Sequence, residues 1–371
     1  MRIYLLAAFL LFKIGLSAQT SYLFIGTYTS GTSKGIYVYR FNSLTGKADS
    51  VGTAEAIANP SYLAIGPNQN TLYAVSETEK SVPGSVYAYE IERLTGKLKF
   101  LNKQVSGGDN PCYVTVHKNN KWVVIANYSG GSLSAFPILP GGKLKPLTQL
   151  IEHAGRSVNI ARQEKAHVHS TVFSPDYKYL FTPDLGADKV FVYTFNSSLT
   201  KPLSPARTPT APSEPGSGPR HFTFHPNKRF AYLIEELSGT VVTYKYHDGQ
   251  LAAIQRLLTH PNDYKGDVGS ADIHISADGK FLYASNRGGE NTITIFSIDD
   301  HTGKLTVKGF QSTLGIKPRN FTLDNSGKYL LVANQESNNI VIFKRDQRTG
   351  LLTETGEQIL VPSPVCLKMM K

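Results

Sequence analysis

Side chains that can do chemistry recur at two places in a repeated sequence unit, and Arg220, Glu236 and Arg287 are the most informative of them. Charged residues that converge on a narrow channel must be paired or desolvated unless they serve a ligand. A carboxylate beside two guanidiniums and an imidazole suits an anionic substrate and the activation of water. The residues that share this placement are His167, His169, Arg220, His221, Asp272, Arg319 and Asn320 where the units open, and Glu77, Asn127, Tyr128, Asp184, Glu235, Glu236, Asn286, Arg287, Asn334 and Gln335 further along each unit.

The repeat that positions these residues occurs six times with near-constant internal spacing. In each copy a second apolar run closes seventeen residues after the opening residue, which indicates one structural unit repeated along the chain. Each unit reads as a β-hairpin, then a third strand rich in aromatic and β-branched residues, then a more variable fourth strand. The copies open at Pro60, Pro111, His167, Pro219, Ser270 and Pro318.

A seventh unit is divided between the two ends of the chain. Residues 22–25 and 36–39 match the second and third strands of a repeat, and residues 363–367 match a first strand after which the chain stops. Pairing the two pieces removes two exposed strand edges, so the sequence predicts a closed seven-bladed β-propeller with four antiparallel strands per blade. An open solenoid is the alternative, but it needs polar capping repeats instead of a divided one.

The ring places the atypical residues together. The first two strands of a blade are antiparallel, so the residues that open the first strand and those that close the second lie at the same end of the ring. The hairpin turns at the opposite end offer mainly Pro, Asn, Asp, Gly and Lys. Each atypical residue also has an ordinary structural explanation, because Asn and Asp often cap turns and a single His is often just a hydrogen-bonded polar residue.

The chain divides into a leader and one domain. Residues 1–18, with an apolar run and small residues before Gln19, predict a cleaved secretory signal peptide, and residues 19–371 predict a single propeller domain. The leader predicts a periplasmic or secreted protein without membrane insertion of the mature chain; a cytoplasmic protein is expected if the leader is not functional. The Pro-rich and Ser-rich residues 201–218 fall between repeats and are interpreted as a long fourth-strand connection.

Charge and cysteine content restrict the function classes. The net charge is +11, but the basic residues are scattered and lack the aromatic interleaving of nucleic-acid binders, so we expect no nucleic-acid partner. Cys112 and Cys366 are expected to be buried free thiols, because non-neighbouring blades seldom bring two Cα atoms within disulfide reach. No metal site has recognisable ligand spacing, no cofactor is expected, and the chain is taken to be a monomer.

The ordered motifs of the sequence resemble those of the seven-bladed β-propeller lactonase family, whose members include bacterial 6-phosphogluconolactonases and a fungal muconate-lactonizing enzyme. The segments that carry the resemblance are Ile25-Gly26-Thr27-Tyr28, His167-Val168-His169-Ser170, Gly218-Pro219-Arg220-His221, Glu235-Glu236-Leu237 and Ser285-Asn286-Arg287-Gly288. The resemblance implies hydrolysis of a sugar lactone, either 6-phosphogluconolactone of the pentose phosphate pathway or a related aldonolactone, to the open acid.

The resemblance also implies roles for particular residues. By matching motif, the catalytic positions fall on His169, Arg220, Glu236 and Arg287. From the chemistry of ester hydrolysis, either His169 or Glu236 can take the proton of the water while the other donates to the alkoxide, and Arg220 and Arg287 can hold the oxyanion or an anionic substituent. We expect His169 as the base and Glu236 as an orienting group or acid. The expected substrate contacts are His167, His221, Asp184, Asn286 and Arg319. Two other functions stay open at this point: a muconate-type lactonizing isomerase, and a non-catalytic propeller that serves as a protein-interaction platform.

Overall fold

Seven four-stranded antiparallel sheets make up the part of the chain that the computed structural model describes, residues 20–79 and 82–371. The sheets are the blades of a ring, numbered here 1 to 7 from the N-terminal strands onward, so the predicted seven-bladed β-propeller is confirmed. The predicted leader lies outside the described residues. No helix within the described ranges is long and apolar enough to cross a membrane.

The first strand of each blade lies nearest the axis, since the first strands of most neighbouring blades contact one another. From blade 1 to blade 7 these strands are β28 (Pro364–Met369), β4 (Leu63–Ile65), β8 (Pro111–Val116), β12 (Val172–Phe173), β16 (Pro219–Phe224), β20 (Ser270–Ile275) and β24 (Pro318–Leu323). The second strands are β1 (Thr20–Thr27), β5 (Thr71–Ser76), β9 (Trp122–Asn127), β13 (Tyr179–Asp184), β17 (Phe230–Glu235), β21 (Phe281–Asn286) and β25 (Tyr329–Asn334).

The remaining two strands of each blade lie further from the axis. The third strands are β2 (Ile36–Asn42), β6 (Ser85–Ile91), β10 (Ser132–Pro137), β14 (Lys189–Phe195), β18 (Thr240–His247), β22 (Thr292–Ile298) and β26 (Asn339–Arg345). The outer strands are β3 (Ala48–Ala54), β7 (Leu98–Val105), β11 (Gln149–Glu152), β15 (Leu203–Pro212), β19 (Gln250–Leu258), β23 (Leu305–Ser312) and β27 (Leu352–Leu360). Residues 201–218 contain β15, which confirms that this stretch is a fourth-strand connection.

Blade 1 closes the ring. The C-terminal strand β28 pairs antiparallel with β1, with Leu23 opposite Met369 and Gly26 opposite Cys366. The sheet order β28-β1-β2-β3 is the divided blade that the terminal fragments predict. Because β28 pairs with β1, the inner edge of the N-terminal strand is not left exposed.

The second strands form the core. Every residue of β5, β9, β17, β21 and β25 is buried, because the neighbouring blades cover both faces of the sheet at this position. Each fully buried Leu, Ile or Val stabilises the fold by roughly 1.5–3 kcal/mol relative to exposure. The ends of these strands are therefore fixed points from which side chains can be aimed at the axis.

Bulges in the inner strands redirect single side chains. In β16, Pro219 is opposite Glu235 and His221 is opposite Ile234, which leaves Arg220 as the extra residue. Cys112 in β8 and Arg319 in β24 occupy the same position. A bulge of this kind re-aims a side chain and ends regular pairing, so a proline followed by a bulged residue is the local device that turns these positions out of the sheet.

Candidate active site

A cavity of about 320 Å³ lies where the seven blades meet. Every blade contributes to it, and all but one of its residues come from the two recurring positions at one end of the ring. The lining residues are Tyr28, Glu77, Cys112, Tyr128, Arg162, His169, Glu236, Arg287 and Arg319. A larger groove of about 470 Å³ lies among the opposite hairpin turns, and Lys121 is the only charged residue among those that line it.

Glu236 is the centre of the charged network. It directly follows β17, and its Oε2 accepts a hydrogen bond from Arg220 Nε at 2.8 Å and forms an ion pair with Arg287 Nη2 at 3.0 Å. Its Oε1 accepts one from Arg162 Nη2 at 2.7 Å. Burial alone would raise the pKa of Glu236, but the guanidiniums of Arg287 and Arg220 hold it well below its usual range. The carboxylate is therefore ionised at neutral pH.

His169 faces this carboxylate. Its Nε2 lies 3.9 Å from Glu236 Oε2, which is too long for a direct hydrogen bond and is a separation that one water molecule can bridge. Its ring packs edge-on against Tyr128, with 5.3 Å between centroids. Burial, Arg220 and His221 lower the pKa of His169 well below its usual range, so the imidazole is neutral and can accept a proton.

Arg319 presents a guanidinium to the cavity without a hydrogen bond or ion pair to any residue of the described ranges. Its Cζ lies 5.3 Å from the centroid of the Tyr28 ring, and the Tyr28 hydroxyl donates to the Glu77 carboxylate at 3.1 Å. This region contains four guanidiniums and two carboxylates. The guanidiniums are those of Arg162, Arg220, Arg287 and Arg319, and the carboxylates are those of Glu77 and Glu236. The excess positive charge favours an anionic ligand.

Sequence reasoning missed three lining residues, Tyr28, Cys112 and Arg162, and Arg162 is the one that contacts Glu236. It lies in the connection between β11 and β12, outside the repeated frame, and its Nη2 also donates to Tyr128 Oη at 3.1 Å. Gln163 holds the connection in place, because its Nε2 donates to the Leu185 carbonyl at 2.8 Å and its Oε1 accepts from Asn159 N at 3.1 Å. The one available signal is that the interval from Pro111 to His167 is the longest between successive copies.

Several expected substrate contacts lie outside the cavity lining. Asp184 and Asn286 are the last residues of second strands, and their side chains tie down nearby structure. Asp184 accepts from His167 N and contacts His153 Nδ1, each at 2.8 Å. Asn286 Nδ2 donates to the Thr259 carbonyl at 2.6 Å. The residue that reaches the cavity is therefore the first one after the second strand, as Glu236 and Arg287 show.

His167 illustrates the same shift of one residue. The bridge between Val168 and Asp184 corresponds to the pairing of Pro219 with Glu235. This repeat therefore begins at Val168 in the structure, one residue after the His167 start that the sequence predicted. The His167 side chain stacks on Tyr128 with 4.6 Å between centroids, and its Nδ1 lies 3.1 Å from the Tyr128 carbonyl oxygen. It supports a lining residue without lining the cavity.

The other expected site residues fall into two layers. His169, Glu236, Arg287 and Arg319 line the cavity, whereas Arg220 lies behind Glu236 and is 1% exposed. His221 lies next to Arg220, with Nε2 3.3 Å from Arg220 Nη1. Gly218 sets the approach of this strand, with a φ of +69° that favours glycine. The described residues include no group of three or more His, Cys, Asp or Glu side chains placed to hold a metal ion.

Comparison with known proteins agrees with this arrangement. Residues 22–369 match the family model "Lactonase, 7-bladed beta-propeller". A protein of Formosa agariphila named 6-phosphogluconolactonase is 40% identical over 94% of this chain and 99% of its own, and one of Bacillus subtilis with the same name is 34% identical over 95% and 99%. The solved structure of a periplasmic gluconolactonase from Pseudomonas aeruginosa superimposes with a TM-score of 0.91 at 37% identity, covering 95% of this chain and 99% of that one. The chain therefore belongs to the seven-bladed β-propeller lactonase family.

Proposed function

We propose that this protein hydrolyses the internal ester of a sugar lactone to the open-chain acid. The observation that carries the proposal is the placement of a neutral imidazole, His169, 3.9 Å from the ionised carboxylate of Glu236 in a cavity that also presents Arg287 and Arg319. The cavity of about 320 Å³ is at the small end of the range for small-molecule sites, which suits a monosaccharide lactone. Relatives named 6-phosphogluconolactonase and gluconolactonase support the same reaction.

The reaction follows from the charges. A water molecule between His169 and Glu236 gives a proton to His169 Nε2 while its oxygen forms a bond to the lactone carbonyl carbon. Arg287 lines the cavity and stabilises the oxyanion that forms. The bond from carbon to the ring oxygen then breaks, and the imidazolium of His169 returns its proton to the leaving alkoxide. Glu236 stays ionised, orients the water and stabilises the imidazolium, so it acts as an orienting group and not as an acid.

Arg319 supports a substrate with an anionic substituent. Its guanidinium has no competing carboxylate within ion-pair distance among the described residues and can accept a phosphate or carboxylate in bidentate fashion. This favours 6-phosphogluconolactone, or a sugar lactone that carries a carboxylate, over neutral glucono-δ-lactone.

Acid release measures the proposed reaction directly. The purified protein is incubated with 6-phosphogluconolactone, with glucono-δ-lactone and with an aldarolactone, and each rate is compared with the rate in buffer alone. We expect strong acceleration with the wild type, loss of at least 100-fold in Glu236→Gln and Arg287→Ala, and no change in Arg348→Ala, which alters an exposed turn. Rates equal to buffer for all three lactones would overturn the proposal.

We further propose that residues 1–18 direct export and are removed, so that the mature monomer starts at Gln19. A relative described as periplasmic supports export. Mass spectrometry of the protein from the periplasmic fraction of an expressing bacterium would give the mass of residues 19–371, and light scattering would give that of one chain. The full-length mass in the cytoplasm, or the mass of a dimer, would contradict these two statements.

A further inference from the structure

We infer that Asp272 and His221 form a positioning relay that fixes the guanidinium of Arg220 and, through it, the carboxylate of Glu236. The inference rests on the proposed function and concerns residues that do not line the cavity. The contacts form one continuous line: Asp272 Oδ1 to His221 Nδ1 at 2.7 Å, His221 Nε2 to Arg220 Nη1 at 3.3 Å, and Arg220 Nε to Glu236 Oε2 at 2.8 Å.

Asp272 determines which nitrogen of His221 carries the proton. Its Oδ2 accepts hydrogen bonds from Phe321 N at 3.3 Å and from the amide of Asn320, and it contacts His274 Nε2 at 2.8 Å. The carboxylate can only accept, so His221 Nδ1 must donate to it. Burial and Arg220 lower the pKa of His221 to about 3, so the ring carries a single proton at neutral pH. Nε2 is therefore a lone pair aimed at Arg220.

The His221 lone pair fixes the Arg220 side chain, whose position strand pairing does not determine. It is the bulged residue of β16, so its position does not follow from regular strand pairing. Its guanidinium is held at three places: Nε donates to Glu236, and Nη1 donates to the Ala271 carbonyl and to His221 Nε2. Three contacts fix a planar group, whereas loss of the His221 contact leaves Nη1 held by one carbonyl alone. Because Oε2 of Glu236 receives Arg220, a shift of this guanidinium moves the carboxylate that faces His169.

The relay is also tied to ring closure. Asn320 Oδ1 accepts a hydrogen bond from Leu367 N, at 2.6 Å, on the closing strand β28. The side chains from His221 to Asn320 thus connect the inner strands β16, β20 and β24 with β28. The His221 ring fills the channel between Tyr113, at 5.3 Å between centroids, and His169, at 5.4 Å, so its own orientation is restricted by packing.

A set of variants tests the relay. His221→Phe keeps an aromatic ring and removes both nitrogens, and His221→Gln keeps one donor and one acceptor. We expect His221→Phe to lower kcat about 10- to 100-fold with KM within about twofold, and His221→Gln to recover part of the loss. The matched control is His274→Gln, which changes another partner of Asp272. The His274 side chain is 31% exposed and does not contact Arg220, so kcat of this variant should stay within about twofold of the wild type.

Two further measurements decide the outcome. In the double variant His221→Phe with Arg220→Lys, kcat should be no lower than in Arg220→Lys alone, because His221 acts through Arg220. Full additivity of the two effects, or an unchanged kcat in His221→Phe, would overturn the inference while lactone hydrolysis by the wild type stands. The ¹⁵N NMR shifts of His221 test the relay without any activity: a proton on Nδ1 and a free Nε2 are expected, and the opposite tautomer would refute it.

Discussion

Replacing Arg319 by Met should convert the site from one that prefers anionic lactones to one that does not. Met keeps an apolar chain over the Tyr28 ring, against which the guanidinium lies at 5.3 Å, and removes only the charge and the donors. Arg319 has no ion pair to a described residue, so its whole hydrogen-bonding capacity is open to a ligand. A hydrogen-bonded contact between charged groups contributes about 1.5–3 kcal/mol, which corresponds to roughly 10- to 150-fold in kcat/KM.

The assay compares 6-phosphogluconolactone, an aldarolactone and glucono-δ-lactone in the wild type, Arg319→Met and the exposed control Arg348→Met. We expect Arg319→Met to lose roughly 10- to 150-fold with an anionic lactone and no more than about threefold with the neutral one. Loss with the phosphorylated lactone but not the aldarolactone would identify phosphate as the anion. An equal loss with all three substrates, or none with any, would refute the role of Arg319 in selecting the anion.

Three other consequences can be measured. Arg162→Ala removes the guanidinium from Glu236 Oε1, and because this side chain is 43% exposed we expect a loss of only about 1 kcal/mol, or about fivefold in kcat/KM; a loss above 100-fold would contradict this. Deletion of residues 364–371 reopens blade 1, so the shortened protein should melt well below the parent, and an equal melting temperature would argue against ring closure by β28. In the folded protein the pKa of His221 is about 3, below the unfolded value of about 6.5. As the pH falls below 6.5 the unfolded chain binds a proton that the folded protein does not, so the free energy of unfolding decreases. Urea unfolding should show that wild type loses about 2 kcal/mol more than His221→Phe between pH 7.5 and 5, and equal losses would contradict the assignment.

The sequence repeat predicted the ring and the end of the ring where the cavity lies. Glu236 and Arg287 could be placed because a constant offset from the opening of each copy fixes the first residue after the second strand. The divided blade could be placed because the terminal fragments match complementary parts of one unit. Both predictions depend on backbone pairing, which strand periodicity records directly.

The finer arrangement depends on features that periodicity does not record. A bulge puts Arg220 out of register, and an early frame at His167 made Asp184 resemble a site residue when it is a strand-end anchor. Arg162 comes from a connection with no repeated counterpart, so nothing in the unit predicts where its side chain reaches. The position of Arg220 behind Glu236, and not in the cavity, depends on side-chain packing alone.

The pH dependence of kcat/KM in wild type and His169→Asn tests the central claim most directly. Burial and neighbouring charge hold the pKa of His169 below its usual value, so the base is already neutral at pH 7. We expect the wild-type rate of lactone hydrolysis to be level from about pH 7 to 8 and to fall only on the acid side of pH 6.5. The His169→Asn variant should lose about 100- to 10,000-fold with a correctly folded structure. A variant that keeps the wild-type rate and pH profile would contradict hydrolysis by His169 and Glu236.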